Sequence, residues 1–419
     1  MDLTFQTYTL SNGITLIVKE NHHAQSVVVR GRLRGGANLD PVDKTGLASF
    51  TTSLMRRGTT HRNFAEINET VESVGAMLNF SCGRHLTTVS SKSLAEDFNL
   101  MVELIEEGLT GPTFPEVEIE RVRGQLITGL REMRESTRGL AQQYFREQLY
   151  TLQHPYGRPF NGTLESVPTI TQADVVAFYQ NLHPQDGIFV VVGDVEADMV
   201  YQTMEATLGQ WQPAHSPPDM SVPTPLPLET TKRHVEVIAN KTQADLMLGN
   251  IGPKRTDDDF YAAYVGDTIL GHLGLGGRIG QVVRDREGLA YYARTSLMGG
   301  IGADPWCIYA GVNPANVEKA IALILTEIRR FREEPVSDQE LADAKSYLTG
   351  ILPLQMETNE GVANMLLQMN LYQLGDDFVS RYPALINAIT KADIQAVART
   401  YLSDETYVLS IAGPVELPS

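Results

Sequence analysis

Zinc-dependent hydrolysis needs two histidines on one helical face and a carboxylate beside them to take the proton from bound water. The chain has nine histidines and two cysteines. None of the histidines forms H-x-x-E-H or H-E-x-x-H, and the adjacent His22 and His23 read as an exposed turn. Cys82 and Cys307 lie far apart in sequence. A disulfide framework needs more cysteines than that, so both are expected to be buried free thiols. A second candidate is the glycine-rich run Gly271-His272-Leu273-Gly274-Leu275-Gly276-Gly277. A phosphate cradle should follow a strand and open a helix. This run instead follows helical periodicity from Phe260 to Leu270, so nucleotide binding is not expected.

The elements that would position any site are mixed. Thr7 to Val18 alternates around Ser11-Asn12-Gly13, a hairpin signal, and Val27 to Leu33 reads as a further strand. Helical periodicity runs from Lys44 to Met55, Phe64 to Val74, Leu94 to Leu109 and Val117 to Leu152, with Ala76 to Ser91 reading as strand. Six prolines between Pro213 and Pro227 exclude a helix or central strand there and predict an extended linker. Ile170-Thr171-Gln172-Ala173-Asp174-Val175 recurs as Ile389-Thr390-Lys391-Ala392-Asp393-Ile394. Each copy offers a capping threonine with an aspartate in the first turn, and each leads through a helix into an apolar strand. Ordered matches of this kind predict an internal duplication. The expected fold class is therefore α+β: two related α/β-roll domains, residues 1–212 and 230–419, joined by a linker at 213–229.

The stretch Gly46-Leu47-Ala48-Ser49-Phe50-Thr51-Thr52-Ser53-Leu54-Met55-Arg56-Arg57-Gly58-Thr59 resembles the segment G-L-A-H-F-L-E-H-M-x-x-x-G-T of the pitrilysin/insulinase family of zinc peptidases. Gly75-Ala76-Met77-Leu78-Asn79 is similar to that family's G-A-x-x-N strand. By this resemblance the two zinc histidines fall on Ser49 and Ser53, the catalytic glutamate on Thr52, and the third ligand on Gly129 of a later helix. Serine is a poor zinc ligand at neutral pH and threonine cannot serve as the base. No zinc is therefore expected in this chain, and hydrolysis would have to borrow its metal from a partner.

A second family signature survives. Gly276-Gly277-Arg278-Ile279, followed by Val283-Arg284-Asp285-Arg286-Glu287-Gly288-Leu289-Ala290-Tyr291, resembles a glycine-rich turn followed by L-R-E-x-x-G-L-A-Y. Arg284 and Tyr291 match the family's paired arginine and tyrosine, which stabilise the negative oxygen built on a peptide carbonyl under attack. Donors of that kind are typically worth roughly 10²–10³ in rate each. Helix-turn-strand grammar alone, with a cation at a helix end and glycine in the turn, would give a similar pattern. The resemblance further implies that Gly274, Gly276 and Gly277 line a substrate chamber and that the strand of Asn79 pairs with extended peptide. Members of this size form half of a clamshell, and in some bacterial pairs one chain carries H-x-x-E-H while the other supplies the arginine and tyrosine. The implied partner is such a zinc-bearing homologue, with peptides as substrates and a homodimer as the form open to the isolated chain. The alternative, from another class, is a scaffold or peptide-binding protein with no peptidase partner.

Composition sets outer bounds. The formal charge of −17 argues against nucleic-acid binding, which needs a basic footprint. No apolar run approaches the ~20 residues of a membrane span. The start has neither a basic patch nor an apolar segment, so a cytoplasmic location is expected.

Overall fold

A computed structural model describes residues 3–213, 215–272 and 276–415 of the chain. The turn at Ser11-Asn12-Gly13 joins β1 (Gln6–Thr9) to β2 (Thr15–Glu20) in antiparallel register, Gln6 opposite Val18. The Asn12 amide pins this turn by donating to the carbonyls of Leu208 and Trp211, at 2.7 and 3.2 Å. The remaining strands of the first sheet are β3 (Ser26–Arg34), β4 (Met77–Cys82), β5 (Leu86–Leu94) and β6 (His183–Gly193). They stand in the order β1-β2-β6-β3-β5-β4, with β2 and β6 parallel and the other neighbours antiparallel.

The second sheet contains β7 (Lys232–Val237), β8 (Ala244–Ile251), β9 (Ala290–Leu297), β10 (Pro305–Val312) and β11 (Val408–Gly413), in the order β7-β11-β8-β10-β9. Here β7 and β11 are the parallel pair. With β1 set aside, the two sheets have one topology, as the internal repeat in the sequence predicts. The chain is thus two α+β domains, each a mixed sheet with helices.

The helices are α1 (Leu47–Leu54), α2 (Phe64–Ser73), α3 (Phe98–Thr110), α4 (Glu116–Arg134), α5 (Thr137–Tyr150), α6 (Gln172–Tyr179) and α7 (Ala197–Ala206) in the first half. The second half adds α8 (Phe260–Asp267), α9 (Arg278–Gly280), α10 (Val317–Glu333), α11 (Asp338–Gln355), α12 (Asn359–Leu371), α13 (Phe378–Ala388) and α14 (Lys391–Tyr401). The predicted helix from Val117 to Leu152 is broken in two. Ser136 takes an extended backbone and its hydroxyl accepts from the Gly139 N–H at 3.0 Å, capping α5. Among the described residues, nothing from Gln212 to Thr231 is helix or strand, as the prolines require.

The chain packs into two compact units that are not contiguous in sequence. The first comprises Met1–Leu130, Pro159–Ser221 and Pro353–Ser380; the second comprises Arg131–Arg158, Val222–Leu352 and Arg381–Ser419. In the first unit, alternate residues Val27, Val29 and Leu33 of β3 share a core with Phe98, Met101 and Ile105 of α3 and Val200 and Met204 of α7. The intervening residues face the other way, and there α12 packs across β3 and β6. Asn359 opens α12 and donates to the Ser26 carbonyl at 3.1 Å, tying the helix to the sheet. In the second unit α5 packs against β8 and β11, burying Phe145 and Leu149 with Met247 and Val408.

Both repeated threonines form the expected caps. The Thr171 hydroxyl accepts from the Asp174 N–H while the Asp174 carboxylate accepts from the Thr171 N–H, and Thr390 and Asp393 do the same. This reciprocal box satisfies two helix-end donors ahead of strands β6 and β11. Thr390→Ala is expected to cost about 1 kcal/mol of stability, read from urea unfolding.

Candidate functional site

Helix α1 starts abruptly because Gly46 sits at φ +89°, a left-handed backbone that glycine adopts without steric cost. The buried Asp40 carboxylate then accepts from the N–H groups of Gly46 and Ala48, at 2.8 and 2.9 Å. That cap fixes the register of the three motif positions. Ser49 and Ser53 are half-buried and Thr52 is buried. The Thr52 hydroxyl donates to the Ala48 carbonyl at 3.0 Å and that of Ser53 to the Ser49 carbonyl at 2.8 Å. The Ser49 hydroxyl lies 3.5 Å from the Asn161 side-chain oxygen. Thr52 and Ser53 thus turn back onto their own helix, a common resting place for mid-helix hydroxyls.

Cys82, at the end of β4, hydrogen-bonds with Thr52 of this row. Burial pushes its thiol up to about 12, against a smaller opposing effect of its hydrogen bond with Thr52. The thiolate is the form that binds metal, so this burial works against Cys82 as a ligand. Helix α4 is held in place: Arg57 pairs with Glu118 at 3.1 Å, and the Arg123 guanidinium lies 5.3 Å from the Phe50 ring. Gly129 nonetheless brings nothing to the site, being exposed with no atom within 4 Å of where a Cβ would stand. Among the described residues, no group of three or more His, Cys, Asp or Glu side chains could hold a metal ion. The donors actually present at these four positions do not suit zinc.

Asn79 lies exposed on β4, opposite Ser90 of β5, and β4 is an outer strand of its sheet. Among the described residues, no further strand pairs with its far edge.

In the second unit, Gly274 lies outside the described residues. Gly276 is exposed, whereas Gly277 is buried, and a Cβ on it would stand 2.4 Å from the Gly271 Cα. Close backbone approach therefore explains Gly277. The neighbouring Arg278 is buried, with its guanidinium bidentate on Glu340 at 2.6 and 2.9 Å, 3.4 Å from Glu327 and 5.4 Å from the Phe331 ring. It locks α9 to α10 and α11.

The π-helical turn Gln281–Arg286 continues α9 and carries Arg284 exposed. Gly288 at φ +62° closes it, donating to the Arg284 carbonyl at 2.9 Å, while Leu289 donates to the Val283 carbonyl at 3.0 Å. Tyr291 follows near the start of β9 and is 84% exposed. Among the described residues neither the Arg284 guanidinium nor the Tyr291 phenol has a hydrogen-bond or ion-pair partner. Structural grammar explains the turn but gives these two side chains no structural task.

Sequence reasoning missed the next residue. Alternation along β9 turns Tyr292 to the opposite face, where its phenol donates to the buried Asp245 carboxylate and accepts from the Arg138 Nε at 3.1 Å. Thr137 also donates to Asp245, and Gln243 donates to it at 3.0 Å. Burial, then the bond to Asp245, pushes the Tyr292 phenol up to about 12. The doublet Tyr291-Tyr292 was the available signal: adjacent residues of one strand cannot share an environment.

Comparison with known proteins supplies context. The sequence profile described as "Insulinase (Peptidase family M16)" matches residues 15–163, and that described as "Peptidase M16 inactive domain" matches 169–348. The chain is 24% identical to an uncharacterized zinc protease of Streptomyces coelicolor, over 99% of this chain and 90% of that one. It is 24% identical to a non-peptidase homolog of Helicobacter pylori, covering 94% and 91%. It is 23% identical to the mitochondrial-processing peptidase subunit beta of Neurospora crassa, covering 98% and 88%. A crystal structure of a peptidase M16 inactive domain from Pseudomonas fluorescens shares the fold, with TM-score 0.92, 22% identity and coverage of 100% and 99%.

Two outcomes follow from the site. Gly129→Ala should stabilise the chain by about 0.5–1 kcal/mol in urea unfolding, since helical glycine is costly and nothing crowds that position. Arg278 holds the Glu340 carboxyl at about 2, below its ordinary 4.5. The folded state then binds fewer protons than the unfolded one, so this stabilisation is complete above about 4.5 and fades as pH falls toward 2. Urea midpoints between pH 5 and 3 should fall less steeply in Arg278→Met than in the parent.

Proposed function

The chain belongs to peptidase family M16, the insulinase family, and from that premise we propose that it is the non-catalytic, substrate-binding subunit of a zinc peptidase whose metal resides in a second chain. One contrast carries the reading. The hydroxyls of Thr52 and Ser53 are spent on their own helix, whereas Arg284 and Tyr291 stand exposed with no partner among the described residues. A chain that had lost all function at both signatures would have no call to keep a guanidinium and a phenol unengaged in solvent.

In this reading the open edge of β4 receives extended peptide by backbone pairing, which tolerates many sequences. The Arg284 guanidinium and Tyr291 phenol then donate to the oxygen of the peptide carbonyl under attack, where negative charge grows. Arginine suits that work because its planar fork stays charged and reaches two acceptors. The partner would be a homologue of similar length carrying H-x-x-E-H. The beta subunit among the relatives, named as part of a processing peptidase, supports a divided enzyme.

A second reading, a peptide-binding scaffold with no peptidase partner, draws support from the relative named a non-peptidase homolog. Reconstitution separates the two. The chain is mixed with a zinc-bearing family member from the same organism, and turnover of a quenched fluorescent peptide is followed. Arg284→Ala and Tyr291→Phe should each cut kcat by roughly 10²–10³ while leaving the thermal midpoint unchanged. Unaltered turnover in the double variant would remove the proposed role, and no turnover in any mixture would favour the scaffold.

A further inference from the structure

In the first unit the C-terminal ends of α3 and α6 meet. The phenol of Tyr179, the last residue of α6, donates to the carbonyl of Leu109 in the final turn of α3 at 2.9 Å. Beside this junction lies a recess of about 370 Å³, within the roughly 300–1,000 Å³ usual for small-molecule sites. Glu106 and Thr110 come to it from α3, Tyr179 and Gln180 from the end of α6, and Trp211 and Gln212 from the chain entering the proline-rich stretch. The Asn12 amide holds that last segment in place through the Trp211 carbonyl.

The lining has one sign. Glu106 supplies its one charged side chain, and no Lys, Arg or His among the described residues pairs with that carboxylate. The Thr110 hydroxyl donates to one carboxylate oxygen at 2.6 Å, which fixes the group, and the other oxygen has no donor among the described residues. Both helices bring their C-terminal ends here, where the aligned peptide dipoles favour a cation. Burial, then the charge of Glu106, pushes the Tyr179 phenol up to about 12, so the ring stays neutral beside the carboxylate. Tyr179 and Trp211 add aromatic surface, which attracts a cation placed over its face. The exposed Gln180 and Gln212 bring amide oxygens able to accept from N–H donors.

We propose that this recess binds a small organic cation, a guanidinium or primary ammonium on a short apolar stem, with its head on Glu106 and its stem against Tyr179 and Trp211. An anion would meet a carboxylate and two negative helix ends. A hard metal ion takes about six or more oxygen ligands and would find a single carboxylate. A guanidinium or ammonium satisfies the free carboxylate oxygen and the glutamine amides together, while its stem covers aromatic surface. The site lies within the first unit and needs neither Arg284 and Tyr291 nor a partner chain.

The test uses the full-length chain and two probes of nearly equal shape, butylguanidinium and the neutral butylurea, followed by intrinsic fluorescence. The chain has two tryptophans. Trp306 is buried, donates to Asp267 at 2.8 Å and does not line the recess, so a change on titration reports Trp211. Butylguanidinium should bind about tenfold more tightly than butylurea, with the advantage shrinking as salt is raised. Glu106→Gln, which can still accept from Thr110, should remove most of that advantage. Glu103→Gln removes the same charge one turn earlier on α3, where Glu103 pairs with Arg62 at 2.8 Å, and should leave the advantage intact. A free amine and an arginine side chain share this chemistry, so acetyl-Gly-Arg-Gly-amide is titrated beside butylguanidinium. Tighter binding of the tripeptide assigns the recess to a side chain, weaker binding assigns it to a free small molecule, and both keep the cation. Equal binding of butylguanidinium and butylurea, no binding of either, or a preference that survives Glu106→Gln would overturn the proposal. Equal loss in Glu103→Gln and Glu106→Gln would also overturn it, because the effect would then be one of overall charge.

Discussion

In each unit the last strand inserts between the first two long ones, parallel to one neighbour and antiparallel to the other. This insertion buries the apolar segments Ile188–Val192 and Val408–Ala412 between two neighbouring strands of their sheets. The outer side of the sheet is then left to the hairpins β4-β5 and β9-β10, with β4 and β9 as edges. The helix that leaves β3, α1, runs back to pack against β4. Motif positions on that helix and an open strand edge are therefore brought together by topology, whatever residues occupy them.

What the residues then do depends on proton bookkeeping. A neutral imidazole at position 49 or 53 would carry one ring N–H for a second partner and keep a lone pair on its other nitrogen for a metal. The serine hydroxyl at 53 and the threonine hydroxyl at 52 each carry a proton, and the carbonyl four residues back is the closest place to put it. The helix keeps its form, and these two hydroxyls turn back along it. Across the second signature the balance is reversed. Gly277 and Arg278 are fixed by a backbone crossing and by two glutamates, so their presence is accounted for by packing. Arg284 in the turn that follows and Tyr291 on β9 have no hydrogen-bond or ion-pair partner among the described residues.

Much of this was legible in the sequence because local rules dominate there. The paired threonine caps and the proline-rich stretch each follow from a backbone requirement that few residue types meet, whereas the helix read from Lys44 begins only after Gly46, whose left-handed backbone starts it at Leu47. The break at Ser136 was missed because periodicity continues across it on both sides. Its capping hydroxyl is visible only once the next helix is known to begin there. The packing of α12 against β3 and β6 could not be read, since Asn359 meets Ser26 across more than three hundred positions of sequence.

The central claim is that this polypeptide holds no metal centre of its own and acts on peptide only in company. Metal content measured on the purified full-length chain, after incubation with equimolar zinc and desalting, tests it most directly. The account predicts no stoichiometric zinc and no chelator-sensitive peptide hydrolysis by the chain alone. One tightly retained zinc per chain, with hydrolysis abolished by chelation and restored by the metal, would contradict it.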